Sequence, residues 1–291
     1  MCKPLVKWAG GKSQLLKEIR LKYPANINKY CEPFVGGGAV LFDILDNCHP
    51  MEVLINDINP ELINTYIQIR DNVDELIKYL YKYQSLYNCV NEEQRLVIYN
   101  KKRIEFNELI FDCGDEKLIK KAALFIFLNK TGFNGLYRVN REGFYNVPKG
   151  NYKNPLICDK NNLIHISNLL KNVKIKCGDF EKCEKFIDKD TFVYLDPPYR
   201  PLTSSSMFTS YSKEQFDDSE QIRLGDFIKR LNDIGARIVL SNSDPKNVNI
   251  EDDFFDNLYK NYYIKRINAK RMINSNSAKR GSITELLVAN Y

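Results

Sequence analysis

Apolar and polar positions along the 291-residue chain fall into short β-like runs separated by stretches of helical spacing. Seven runs read as strands. The first leads through Tyr30-Cys31-Glu32 into Gly36-Gly37-Gly38 and an apolar helix ending near Leu45; the second is Val53-Leu54-Ile55-Asn56-Asp57, and the third begins at Val173-Lys174-Ile175. The fourth is Phe192-Val193-Tyr194-Leu195 and the fifth Ala236 through Ser241, with closing strands around Tyr262-Tyr263-Ile264 and over Ile283 through Ala289. Runs this short, rich in β-branched and aromatic residues and stopped by Gly, Pro or Asp, suit strands buried in a sheet. Between them, Leu15, Leu16 and Ile19, and later Ile222, Leu224, Phe227, Ile228 and Leu231, recur at helical spacing. Alternation of this kind predicts an α/β fold.

One stretch breaks the alternation. From Pro60 to about Phe127 the apolar positions (Leu62, Ile63, Tyr66 and Ile69, then Leu76, Ile77 and Leu80, then Leu118 through Phe127) keep helical spacing, which predicts an inserted helical domain. Residues 129–150 follow, with aromatics, amides, arginines and glycines interleaved in an expected hairpin, suited either to stacking and hydrogen bonding on base edges or to packing against the helices. The chain contains no internal repeat and no low-complexity tail.

Composition narrows the class. With 44% hydrophobic and 27% charged residues the chain can bury a sizeable core, as one large domain or one domain carrying an insertion. No apolar run is long enough to span a bilayer and the amino terminus lacks a signal peptide, so a cytoplasmic protein is expected. The eight cysteines are scattered without a Cys-x-x-Cys, and there are only two histidines, which argues against a disulfide framework, a metal centre and a Ser-His-Asp triad. The net charge of +6 is modest, but Lys265, Arg266, Lys270, Arg271, Lys279 and Arg280 concentrate cations near the carboxyl terminus, as a solvated face or as a phosphate-tracking segment.

The candidate chemistry centres on Asp196-Pro197-Pro198-Tyr199, at the carboxyl end of the fourth strand, where open α/β sheets bind ligands. An exocyclic amine on a planar base is a poor nucleophile because its lone pair is delocalised. A carboxylate at Asp196 and the rigid carbonyl of Pro197 could each accept one N–H and so localise that pair, with Tyr199 offering a face for stacking. Taken alone, the quartet could also be a rigid turn. Gly11-Lys12-Ser13 imitates the end of a phosphate-binding P-loop, but the opening glycine is replaced by Val6, which disfavours a nucleoside triphosphatase. The triple-glycine turn after the first strand and Asp57 after the second form a nucleoside-binding unit, the acid being placed to accept both ribose hydroxyls. Asp179 and Phe180, after the third strand, could hydrogen-bond and stack an adenine.

These segments together resemble the Dam-type DNA adenine N6-methyltransferases, which use S-adenosylmethionine. The resemblance rests on Lys7-Trp8-Ala9-Gly10-Gly11-Lys12, Glu32 through Gly38, Phe133-Asn134-Gly135-Leu136-Tyr137-Arg138, Asn146-Val147-Pro148 and Asp196 through Tyr199, in family order along nearly the whole chain. It is strongest to the Gram-positive restriction-modification branch that methylates the A of GATC. It implies a seven-stranded, Rossmann-like methyltransferase sheet over residues 1–62 and 156–291, a helical target-recognition insertion over 63–155, and a monomer acting on double-stranded DNA without metal. It further implies a cofactor site lined by Trp8, Lys12, Phe34, Gly36, Asp57, Asp179, Phe180 and Asp196, and a flipped adenine held by Asp196, Pro197, Pro198 and Tyr199. Lys7, Phe133, Asn134, Leu136, Arg138 and Pro148 correspond to positions that touch or fill the recognition sequence, with Lys270 and Arg271 as phosphate contacts. The competing readings are a non-catalytic DNA-binding protein on the same fold and a methyltransferase acting on RNA or protein amides. A cytosine-C5 enzyme is disfavoured because the chain has no Pro-Cys dipeptide to supply the thiol nucleophile.

Overall fold

The computed structural model describes residues 2–109, 114–200, 216–270 and 282–291. Its seven strands are β1 (Lys29–Glu32), β2 (Glu52–Asp57), β3 (Val173–Cys177), β4 (Thr191–Leu195), β5 (Arg237–Ser243), β6 (Tyr263–Lys270) and β7 (Ser282–Ala289); each falls on a segment the pattern predicts, but β3 stops three residues before Phe180 and β6 runs six residues past Ile264. They form one sheet in the order β3-β2-β1-β4-β5-β7-β6. The first five are parallel, and β7 enters antiparallel between β5 and β6.

Alternate residues on each strand feed two cores. Tyr30, Val53, Ile55, Phe192 and Tyr194 point to one face, and Cys31, Leu54, Val193 and Leu195 to the other. Both faces are covered, which is why the parallel strands read as unbroken apolar runs. On the first face lie α1 (Leu16–Arg20), α2 (Ala39–Asn47), α3 (Pro60–Asp71) and α7 (Lys160–Leu170); on the second lie α8 (Asp218–Asp233) and α9 (Phe254–Leu258). The order runs outward from β1 on one side and from β4 on the other, so these neighbours flank the crevice at their carboxyl ends.

The helical stretch comprises α3, α4 (Val73–Asn88), α5 (Glu92–Glu108) and α6 (Asp115–Thr131). Starts are marked locally: Asn59 caps α3 through the amides of Glu61 and Leu62, and Asn91 with Gln94 forms a capping box on α5. An insertion boundary at residue 63 falls inside α3, which touches β2, β3, α6 and α7 alike. The core under the sheet continues without a break into Leu76, Leu80, Tyr83, Tyr99 and Phe127 of these helices.

Residues 129–150 double back as expected but form no regular two-stranded ladder. Only the bridges Gly132 to Lys149 and Val139 to Tyr145 occur, with a 3-10 turn over Phe133–Gly135. Helix side chains take over the missing ladder bonds. Asn107 accepts from the Tyr145 amide (2.8 Å) and donates to its carbonyl (3.1 Å), while the Tyr99 hydroxyl donates to the Val147 carbonyl (2.8 Å). Buried backbone groups must be paired, and sequence periodicity carries no information about a partner on another element.

Candidate active site

The prolines end β4 and leave Asp196 at the crevice, its side chain 20% exposed. The Lys12 ammonium, 3% exposed, lies 2.8 Å from Asp196 Oδ1. Ser241 donates to the same oxygen at 3.1 Å and is itself hydrogen-bonded to the buried Tyr194 hydroxyl at 2.8 Å. Burial pushes the Asp196 carboxyl above its ordinary 3.8, and Lys12 and Ser241 pull against that rise. The same ammonium sits 4.6 Å from the centre of the Tyr199 ring, and the Tyr199 hydroxyl donates to Glu285. Burial and the nearby carboxylates lift the Tyr199 phenol far above 10, so it remains a donor. Gln221 donates to the Pro198 carbonyl at 3.0 Å and is oriented in turn by Asn242. Among the described residues no donor meets the carbonyl of the buried Pro197, so this acceptor is unpaired.

Across the crevice, Gly36 and Gly38 turn the chain with φ of +48° and +76°. A Cβ on Gly36 would lie 2.8 Å from the Trp8 ring, and one on Gly38 would lie 2.5 Å from the Tyr66 hydroxyl; close approach and left-handed backbone both require glycine. Asp57 closes the turn by accepting from the Gly36 amide (3.0 Å) and the Asn59 amide (2.9 Å). Each carboxylate oxygen keeps a lone pair for a further donor. Burial lifts the Asp57 carboxyl from 3.8 to about 6 despite those amides. Asn56 joins the flanking loops by donating to the carbonyls of Pro33 (3.0 Å) and Gly178 (2.8 Å). Beyond it, Phe34, Phe180 and Phe216 form an aromatic wall with ring centres 5.4 to 6.3 Å apart. Phe180 is only 3% exposed, so Phe34 and Phe216 carry the more accessible rings. Arg223 holds Asp179 with bonds of 2.7 and 3.1 Å, lies 4.2 Å over Phe180, and keeps the Asp179 carboxyl below its ordinary value.

The expected base-contacting residues gather on one exposed face. Phe133, Asn134, Arg138, Pro148 and Lys7 are exposed, and the Phe133 amide donates to the Pro148 carbonyl at 2.9 Å. The Arg138 guanidinium is pinned by Asn146 Oδ1 at 2.7 Å, Leu136 is half-buried, and the Lys7 ammonium lies 4.2 Å over the Tyr152 ring. Asn129, 3% exposed, clasps this face to the amino-terminal loop: it accepts from the Lys7 amide and donates to the carbonyls of Lys7 and Gly135. The carboxy-terminal cluster is divided. Lys265 pairs with Glu18, and Arg266 with Asp244 and Asp256; β6 brings the Lys270 backbone to the crevice edge, and Arg271, Lys279 and Arg280 lie outside the described residues.

Ser241, Gln221, Asn242, Glu285, Asn129, Phe216 and Arg223 were not singled out from sequence. Ser241-Asn242-Ser243-Asp244 did carry a signal, being a polar run where an apolar strand ends. Single residues such as Glu285 carried none.

The sheet order, the glycine turn after β1, the acid after β2 and the quartet after β4 define a Rossmann-like methyltransferase. Comparison with known proteins narrows the class. The chain belongs to the D12 class N6 adenine-specific DNA methyltransferase family, whose sequence model matches residues 8–273. It is 49% identical to the Type II methyltransferase M.MjaIII of Methanocaldococcus jannaschii, covering 99% of both chains. It is 40% identical to the Type II methyltransferase M1.LlaDCHI of Lactococcus lactis subsp. cremoris (99% of this chain, 95% of the relative) and 32% identical to the DNA adenine methylase of Haemophilus influenzae (98% and 92%). The protein is therefore an adenine-specific DNA methyltransferase acting with a methyl donor. No helix among the described residues is long and apolar enough to cross a membrane, and no cluster there could hold a metal ion.

Proposed function

We propose that the protein transfers a methyl group from S-adenosylmethionine to N6 of an adenine flipped out of duplex DNA, within GATC. The observation that carries this reading is the end of β4, where a restrained carboxylate and a tethered aromatic ring flank the unpaired Pro197 carbonyl in sequence. The donor set fits the cofactor: Asp57 has lone pairs left for two ribose hydroxyls, the aromatic wall suits an adenine, and the carboxyl groups of Asp57 and Asp196 suit a cation. S-Adenosylmethionine, when bound, would supply an electrophilic methyl on a sulfonium. Trp8 and Gly36 would shape its pocket, Lys12 its polar end, and Phe34, Asp179 and Phe180 its base.

Asp196 and Pro197 each accept one N–H of the target amine, drawing the nitrogen towards tetrahedral geometry with its lone pair exposed. Tyr199 stacks on the base and Pro198 stiffens the turn. The donor's sulfur would keep the C–S electron pair, and Asp196, already an acceptor for the amine, would take the proton the nitrogen sheds on gaining the methyl group. Flipping costs a few kcal/mol in an intact duplex, and Phe133 is placed to fill the gap. Leu136 and Pro148 offer apolar contact to a thymine methyl and Arg138 a bidentate contact to guanine. Lys7 and Asn134 complete that face, and Lys270 and Arg271 grip phosphates. We assign recognition to residues 63–155 on the same grounds, and GATC on the likeness of the Phe133 and Asn146 segments to the branch that methylates it.

The test is direct. Plasmid lacking adenine methylation, incubated with the protein and S-adenosylmethionine, should yield N6-methyladenine by mass spectrometry and resist a nuclease blocked by adenine methylation in GATC. N6-methyladenine with full GATC cleavage would discard the site assignment alone; none in any DNA would discard the activity.

A further inference from the structure

Glu285 enters the crevice for a topological reason. The first five strands are parallel, and side chains reach the catalytic edge only from their carboxyl ends. An antiparallel strand brings its beginning there instead. In β7 the register pairs Glu285 with Ser243 at the end of β5, while Leu286, Leu287 and Val288 are buried. Glu285 thereby meets Tyr199, 86 residues away in sequence, and accepts the hydrogen bond of its hydroxyl.

We propose that Glu285 is a positioning residue for methyl transfer, holding the Tyr199 ring in the place where the target base stacks and adding negative charge beside the Asp196 acceptor. A tyrosine after two prolines has a rigid backbone but a free ring. The acceptor at its tip fixes the first side-chain torsion before substrate arrives, and it biases the second, whose axis passes through the hydroxyl oxygen, because a phenolic O–H lies in the ring plane. Hydrogen bonds to a charged acceptor are about twice as strong as neutral ones, which suits a tether of this kind. The Lys12 ammonium on the ring adds a second restraint.

Charge is the second part of the role. Asp196 is faced by Lys12 from the amino-terminal turn, Glu32 from β1, Tyr194 from its own strand, Ser241 from β5 and Glu285 from β7. Lys12 favours the carboxylate, whereas Glu32 and Glu285 oppose its ionisation when charged. Removing the Glu285 charge therefore favours the ionised acceptor at lower pH.

The proposal rests on the stacking role of Tyr199 given above, and its test separates the two. Single-turnover methylation and cofactor affinity are measured for Tyr199→Ala, Tyr199→Phe, Glu285→Ala, Glu285→Gln and the Tyr199→Phe/Glu285→Ala double variant. Tyr199→Phe and Glu285→Ala are each expected to slow transfer about tenfold with cofactor affinity unchanged, and the double variant no further, because both remove one bond. Glu285→Gln, which keeps an acceptor, should retain most of the rate and move the acidic limb of the rate profile to lower pH. A Tyr199→Ala enzyme as fast as wild type would sink the stacking role itself. With Tyr199→Ala slow, multiplying losses in the double variant or an unmoved acidic limb in Glu285→Gln would overturn the role of Glu285. If Glu285→Ala fails to fold, a Tyr199→Phe enzyme as fast as wild type is the overturning result.

Discussion

Asp57 shows at the scale of one residue how burial and function pull against each other. The Gly36 and Asn59 amides favour its charge, yet burial dominates and sets its pKa at about 6 against an ordinary 3.8. In the window between those values the native state holds a proton that the unfolded chain has released. The stability it contributes is thus present below that window and lost as pH rises through it. In the proposed site the ribose hydroxyls donate to the ionised form, so S-adenosylmethionine affinity should be level above about pH 7 and weaken about tenfold per unit below about 6. Calorimetry across that range checks this, and an affinity indifferent to pH would remove Asp57 from the ribose site. The role proposed for Asp196 predicts an effect on rate. Asp196→Ala at saturating cofactor should slow single-turnover methylation roughly 10²–10³-fold while DNA affinity changes far less. A loss within about threefold would mean the carboxylate does not orient the amine.

Elements place these residues. The segment after α6 is held by Asn107 and Tyr99 of α5 and by Asn129 of α6 itself, so its exposed face is presented from a helical platform. Arg138, the proposed guanine reader, is aligned by Asn146. Arg138→Ala should relax discrimination at one guanine of GATC by about 1–3 kcal/mol. Asn146→Ala should produce a weaker version of the same relaxation. Methylation rates on GATC and its single-base variants decide this: an equal loss on every sequence would assign Arg138 to the backbone.

Across the whole molecule, one core joins the sheet to the helical stretch, and the single tryptophan reports on the junction. Trp8 stacks on Tyr137, with ring centres 6.0 Å apart, and packs over Gly36. A shared core predicts one cooperative transition. Trp8 fluorescence and far-ultraviolet circular dichroism should therefore give coincident urea curves. Separated midpoints would show that the helices fold as an independent unit.

Strand positions, the helical stretch, the glycine turn and the quartet were legible in the sequence because period, glycine geometry and proline stops are local properties. Asp57 and Asp196 could be picked out for the same reason: each ends an apolar run. The partners were not. Ser241 and Glu285 reach Asp196 and Tyr199 only because β5 lies beside β4 and β7 runs against the sheet, and Asn107 replaces ladder bonds only because α5 packs across the segment. Pairings between residues tens of positions apart depend on strand order and direction, which the pattern of a single strand does not encode; tertiary structure alone decided them.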